Sequence, residues 1–125
     1  MNLREDVTFH LVNGIRYAVR EFSVEGAAPR EPERTVLLLH GFLDSGATWD
    51  LVAPHLAVAG FRVLAPDLRG FGDSGRVPLG GYYYFADYIA DVAALVDLVA
   101  PTDLSVVGHS MGGGVASLFT GVYPE

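Results

Sequence analysis

The 125-residue sequence predicts an α/β fold in which a β-hairpin leads into a parallel β-α-β-α-β-α unit. Three observations predict it. Asn13-Gly14 separates two stretches of alternating apolar and polar residues near the start. Three short, mostly apolar runs, Thr35–Leu39, Phe61–Ala65 and Leu104–Val107, alternate with segments of helical spacing. Each run opens into a turn or loop that contains glycine.

Taken in order, residues 7–22 read as a hairpin. Val7, Phe9 and Leu11 alternate with Thr8 and His10, and Ile15, Tyr17 and Val19 alternate with Arg16 and Ala18. Asn-Gly suits the tight turn between them because both turn positions need positive φ, and the alternation predicts one buried and one wet face. Residues 25–34, with Pro29 and Pro32, read as a polar loop. Thr35–Leu39 reads as a parallel strand covered on both faces, ended by His40-Gly41-Phe42. Trp49, Val52, Ala53 and Leu56 recur at helical spacing, with Gly60 as the C-terminal cap. Phe61–Ala65 is a second buried strand, closed by Pro66-Asp67 and followed by the glycine-rich loop Leu68–Gly75. Residues 83–100 read as a helix with Phe85, Ile89, Val92, Val96 and Val99 on one stripe, Asp87, Asp91 and Asp97 off it, and Pro101 as the stop. Leu104–Val107 is a third buried strand, and a helix marked by Val115, Leu118, Phe119 and Val122 closes the chain.

Length and composition bound the function. The chain is one domain at most. Eight basic against fifteen acidic residues give a net charge of −7, which disfavours nucleic acid, since phosphate contacts need a basic patch. There is no cysteine, so disulfides and thiolate metal sites are excluded. No apolar run approaches the ~18 residues of a membrane span. The start, Met1–Asp6, has no signal-peptide core, and a cytoplasmic location is expected.

The third strand runs into Gly108-His109-Ser110-Met111-Gly112, a G-x-S-x-G sequence between a strand and a helix. A strand that turns directly into a helix leaves its central residue in a strained backbone conformation. The residues two positions either side crowd each other, and glycine removes the Cβ atoms that would collide. The serine hydroxyl then stands at the tip of the turn.

With these pieces the chain resembles the N-terminal half of a serine-type α/β-hydrolase. Three blocks carry the likeness, in that family's order and spacing: Leu38–Phe42, Ala65–Ser74 and Val107–Gly113. Trp49 and the hairpin extend it to about residues 7–125. The resemblance implies that Ser110 is the nucleophile and that the backbone N–H groups of Phe42 and Met111 form an oxyanion hole. A serine at the elbow sets the chain apart from dehalogenases and epoxide hydrolases of that fold, which use aspartate there. The resemblance further implies hydrolysis of an ester, amide or related bond in a small, fairly apolar molecule, without metal or redox cofactor. Acyl transfer, C–C cleavage and cofactor-independent haloperoxidase-like chemistry share these motifs.

Other residues receive structural readings. His40 is expected to pack under the oxyanion loop rather than move protons, and His109 to point to the other side of the turn. His10 and His55 read as surface residues, Asp67 as the brace of the loop that follows, and Asp73-Ser74 as a turn. Met111 contributes its backbone first, though its side chain could line a pocket. Tyr82–Phe85 read as core and rim packing, and Gly113-Gly114 as permitting close helix–sheet approach.

In the resembling family the catalytic acid and histidine follow the serine. Among the residues after Ser110 there is no histidine, and Glu125 is the only acid. The expectation is therefore the front portion of such an enzyme, with negligible esterase turnover by these residues alone. A non-catalytic binding module and one half of a split hydrolase are the alternatives. Strand 104–107 is expected to leave an apolar edge, through which the chain would self-associate.

Overall fold

The computed structural model describes residues 3–24 and 33–124, so most of the expected loop at 25–34 lies outside the described residues. Five strands form one mixed sheet in the order β1-β2-β4-β3-β5: β1 Leu3–Val12, β2 Ile15–Val24, β3 Arg34–Leu39, β4 Arg62–Pro66 and β5 Asp103–Gly108. β1 pairs antiparallel with β2, and β2 with β4. β3 lies parallel to both β4 and β5. Asn13 and Gly14 take φ of 48° and 80°, the left-handed pair a two-residue hairpin turn requires.

Helices cover both faces. On one, α2 (Phe85–Val99) and α3 (Met111–Val122) pack over Ile15, Tyr17, Val19, Leu37, Leu39 and Leu64. On the other, α1 (Ala53–Val58) packs with Trp49 over Phe22, Val36, Leu38, Val63 and Ala65. Consecutive residues of β3 therefore feed two different cores, which is why the strand is an unbroken apolar run.

β5 is not the buried strand expected at Leu104–Val107: it lies at the edge of the sheet and its residues alternate between exposed and half-buried. Three further expectations need correction. The helix expected across Trp49–Leu56 is two pieces, a 3₁₀ turn at Gly46–Trp49 and then α1. Pro54 separates them: its ring would strike the Asp50 carbonyl in a continuous helix, but it is tolerated in the first turn of a new one. Gly60 does cap α1, at φ 103°, with Phe61 N–H donating to Leu56 O (3.1 Å) and Gly60 N–H to Ala57 O (3.0 Å).

The second correction concerns the hairpin face. Ile15, Tyr17 and Val19 are buried, but Val7, Phe9 and Leu11 are not, Leu11 being 73% exposed. They sit on the outermost strand, and the short α1 packs chiefly on β2 and β4. The Arg16 guanidinium covers part of the gap, 3.9 Å from the Phe9 ring centre. The third concerns α2. Its buried stripe is Tyr88, Asp91, Val92 and Leu95, and Phe85 is exposed. Asp91, expected off the stripe, is fully buried within it. Among the described residues no helix is long and apolar enough to cross a membrane.

Candidate active site

Parallel pairing of β3, β4 and β5 brings their C-terminal ends to one edge of the sheet, where open α/β sheets hold ligands. The loops that follow them are residues 40–45, 67–75 and the 108–112 turn. At that turn Ser110 has φ 55° and ψ −117°, a conformation essentially reserved for glycine, and it immediately precedes α3. Two glycines make this possible. A Cβ on Gly108 would collide with the Gly112 carbonyl, and one on Gly112 with the Leu39 carbonyl. Hydrogen bonds hold the turn: His109 N–H to Leu39 O (3.0 Å), Gly112 N–H to His109 O (2.9 Å) and Gly113 N–H to Ser110 O (2.9 Å). The Ser110 side chain is exposed and makes no capping bond.

The loop after β3 lies against this turn. A Cβ on Gly41 would stand 3.3 Å from both the Ser110 Cβ and the His109 Nδ1. Both residues thus border Gly41. Among the described residues, neither the Phe42 nor the Met111 N–H has an acceptor. These amides belong to the residue after Ser110 and the residue after Gly41, and an unengaged amide near a hydroxyl can stabilise negative charge that develops on a group attacked by it. The N-terminus of α3 adds its dipole, worth about 0.3–1 kcal/mol toward an anion nearby.

His40 is fully buried beneath the loop. Its Nδ1 lies 2.7 Å from Gly41 O, and its Nε2 accepts the Leu68 N–H at 2.9 Å. These partners assign a neutral ring with the proton on Nδ1. Burial holds its pKa below the usual value of 6.5, against the opposing pull of the Asp67 and Asp44 carboxylates. Both ring nitrogens are engaged, so packing is its role. Asp67 braces the neighbouring loops as expected: its carboxylate accepts the Gly46 N–H (2.6 Å) and the Asp73 N–H (2.9 Å). Ser74 closes the same loop, donating to Asp67 O and accepting the Ala18 N–H at 2.9 Å.

An apolar surface borders the serine edge. Phe42 is 65% exposed and leans edge-on against Phe71, and Leu43, at φ 64°, is 78% exposed. Phe71 in turn contacts His40 and Tyr88. Tyr82–Phe85 belong to the rim and not the core: all four are exposed, and Tyr83 covers Gly70 while its hydroxyl accepts the Val77 N–H (2.9 Å). The Met111 side chain packs against the core under α2 and α3. His55 is exposed and His10 half-buried, bonded to Thr8 at 3.0 Å. Close helix–sheet approach is the work of Gly112, not of Gly113-Gly114. A Cβ on Gly113 would have ordinary contacts, and one on Gly114 would meet Phe85 of α2 at 3.3 Å.

Sequence reasoning missed the ion pair behind the site. Arg69 donates to Asp91 through Nε (2.6 Å) and a terminal nitrogen (2.7 Å). Asp91 also accepts the Tyr17 hydroxyl (2.5 Å) and the Asn13 amide (3.0 Å). The network ties the hairpin and α2 to the loop after β4. Burial, reinforced by the Asp91 charge, drives the Tyr17 hydroxyl pKa far above its usual value, so it stays a donor. The available signal was an aspartate at helical spacing between Tyr88 and Leu95.

Comparison with known proteins identifies the fold. Residues 34–125 match the family described as alpha/beta hydrolase fold. A serine hydrolase-like protein of Dictyostelium discoideum is 36% identical over 121 residues, 97% of this chain and 32% of that protein. Epoxide hydrolase B of Mycobacterium tuberculosis is 35% identical over 106 residues, 85% of this chain and 30% of that protein. The crystal structure of an epoxide hydrolase from Vigna radiata matches with a TM-score of 0.82 at 30% identity, covering 96% of this chain and 36% of that one. The chain spans about a third of the length of these relatives.

Proposed function

The chain belongs to the α/β-hydrolase fold family, and from that premise we propose that it carries the nucleophile and oxyanion hole of a serine hydrolase that acts on acyl compounds. The observation that carries the reading is Ser110 itself, an exposed hydroxyl on a backbone at φ 55° that two glycines are needed to accommodate. Strain of this kind persists only where the surroundings enforce it.

The chemistry follows from the placement. Ser110 Oγ attacks the carbonyl carbon of an ester, amide or related bond, and the carbonyl oxygen takes up negative charge between the Phe42 and Met111 N–H groups. One such donor is worth on the order of 10²–10³ in rate. The exposed Phe42, Leu43 and Tyr82 favour a small, fairly apolar substrate. The hydroxyl needs a base, and His40 has no free nitrogen to serve. We assign that base to chain outside these residues, since two thirds of each relative lies outside the match. The cytoplasm is the proposed location.

Epoxide opening is the second reading, because several relatives carry that name. Bond chemistry weighs against it. A serine oxygen that opened an epoxide would form an alkyl ether, which water does not readily cleave, whereas acylation forms an ester that it does. The test is labelling with a small fluorophosphonate, read by mass spectrometry, of this chain together with the segment that supplies the base, beside incubation with styrene oxide. The expected result is a single phosphonyl adduct on Ser110, lost in Ser110→Ala, and no diol. An adduct that survives in Ser110→Ala, or diol formation that depends on Ser110, overturns the acyl reading.

A further inference from the structure

We propose that the outer edge of β1 pairs antiparallel with β1 of a second copy of this chain, across a two-fold axis at Thr8, so that one sheet runs through both copies.

The hairpin turn sets which backbone groups are free. Beside a two-residue turn the flanking residues, here Val12 and Ile15, exchange both backbone hydrogen bonds, and the exchange then alternates along the pair. Leu3, Glu5, Val7, Phe9 and Leu11 therefore turn their N–H and C=O groups away from β2. The far side of β2 has the matching phase: Arg16 O accepts the Gly75 N–H (2.7 Å) and Ala18 O the Asp67 N–H (2.9 Å). Within the sheet β1 pairs with β2 alone. The same residues carry the uncovered apolar side chains, Val7, Phe9 and Leu11. Free backbone and exposed apolar surface thus coincide along one strand.

This edge lacks the features that keep sheet edges apart. It is ten residues long, it pairs with β2 without a bulge, and it contains no proline. There is no lysine anywhere in the chain. Its charges cluster at one end, at Arg4, Glu5 and Asp6. A parallel copy in register would set Glu5 and Asp6 against themselves, and like charges directly opposite destabilise. An antiparallel copy sets that end against the other end of its partner.

The pairing rule narrows the register. Outward-facing residues must oppose outward-facing residues, so the axis falls on a residue and not between two. An axis at Val7 sets Arg4 against His10 and Glu5 against Phe9. An axis at Phe9 sets the Asp6 carboxylate against Val12. An axis at Thr8 sets Val7 against Phe9, Thr8 against itself, and Asp6 against His10, whose ring N–H it can accept. A β-branched residue beside an aromatic one and a threonine pair are both favourable across strands. The contact is the same patch on both copies, so it closes as a dimer.

The absence of cysteine makes the register directly testable, because an introduced cysteine is the sole thiol. Thr8 opposes its copy as a non-hydrogen-bonded pair, with Cα atoms about 4.5 Å apart, within disulfide reach. Val7 and Phe9 meet their own copies only diagonally, at about 7–8 Å. All three residues are exposed, so the substitutions spare the core. Val7→Cys, Thr8→Cys and Phe9→Cys are each made in a Val107→Lys background, which places a charge on the β5 edge and leaves β1 untouched. Each is oxidised with glutathione disulfide, which takes two electrons from two thiols as their S–S bond forms, and dimer is read on non-reducing gels. Thr8→Cys is expected to cross-link at least about tenfold faster than the other two. Equal rates, or a faster Val7→Cys or Phe9→Cys, overturn the proposal. Sedimentation equilibrium gives a second reading without a new thiol. The Val107→Lys chain is expected to be dimeric and to become monomeric when Phe9→Lys is added. A Val107→Lys chain that stays monomeric at its highest soluble concentration, or a dimer that survives Phe9→Lys, also overturns the proposal.

Discussion

At Ser110 the backbone, not the hydroxyl, is the demanding part. Gly112 lies where α3 comes within backbone contact of the end of β3, and the atoms a Cβ would strike are carbonyl groups that cannot rotate away. Gly112→Ala is expected to destabilise the chain by about 3 kcal/mol, the upper end for overpacking, as read by urea denaturation. Gly113→Ala, one residue on, meets only ordinary contacts and replaces a helix glycine. It is expected to leave stability unchanged or raise it by about 0.5–1 kcal/mol. Equal effects would show that Gly112 is not the contact residue. His40 contributes a pH dependence of definite sign. Its folded pKa lies below the unfolded value of 6.5, so its contribution to stability is complete above that pH and is lost as the pH falls toward the folded value. The melting temperature is expected to drop as the pH falls below 6.5, with a smaller drop in His40→Asn.

Elements in this chain are held together by few but specific ties. α2 is anchored on the loop after β4 by the fully buried Asp91 and its two-pronged bond to Arg69. Removing one partner strands a charge in the core. Asp91→Leu is expected to cost about 3–5 kcal/mol, and the double variant Asp91→Leu with Arg69→Met to recover much of it. A double variant no better than the single one would show that packing, not charge, sets the cost. The same helix ends at Ala100, an alanine in the left-handed conformation at φ 46°. Ala100→Gly is expected to stabilise by about 0.5–1 kcal/mol in thermal melts, because the Cβ strain is relieved. Pro54 shows how one residue redraws an element: the spacing of Trp49, Val52, Ala53 and Leu56 predicts one helix, and a single ring clash divides it.

At the scale of the whole molecule, the sheet is unevenly clothed. α1, α2 and α3 cover its middle, while β5 is an edge strand with Val107 44% exposed, and β1 shows Val7, Phe9 and Leu11. Unpaired N–H and C=O groups along an apolar edge are a template for pairing. These 125 residues are expected to run as an oligomer in size-exclusion chromatography, and Val107→Lys to shift the peak toward monomer. A sharp monomeric peak for the unmodified chain would refute this. The hairpin, the alternation of strands and helices, and the elbow with its two glycines were all legible in the sequence, because each is local. Turn conformations, side-chain period and the approach of Gly108 to Gly112 act within a few residues of one another, whereas Gly112 itself meets Leu39 of β3. Tertiary structure alone decided which alternating face of β1 was covered, where the α2 stripe fell, and that His40 serves the Gly41 carbonyl. Those outcomes depend on what stands opposite: a six-residue helix that packs chiefly on the inner strands and leaves the outer one largely uncovered, an arginine arriving 22 residues earlier to pair with Asp91, and a loop amide that takes the free imidazole nitrogen.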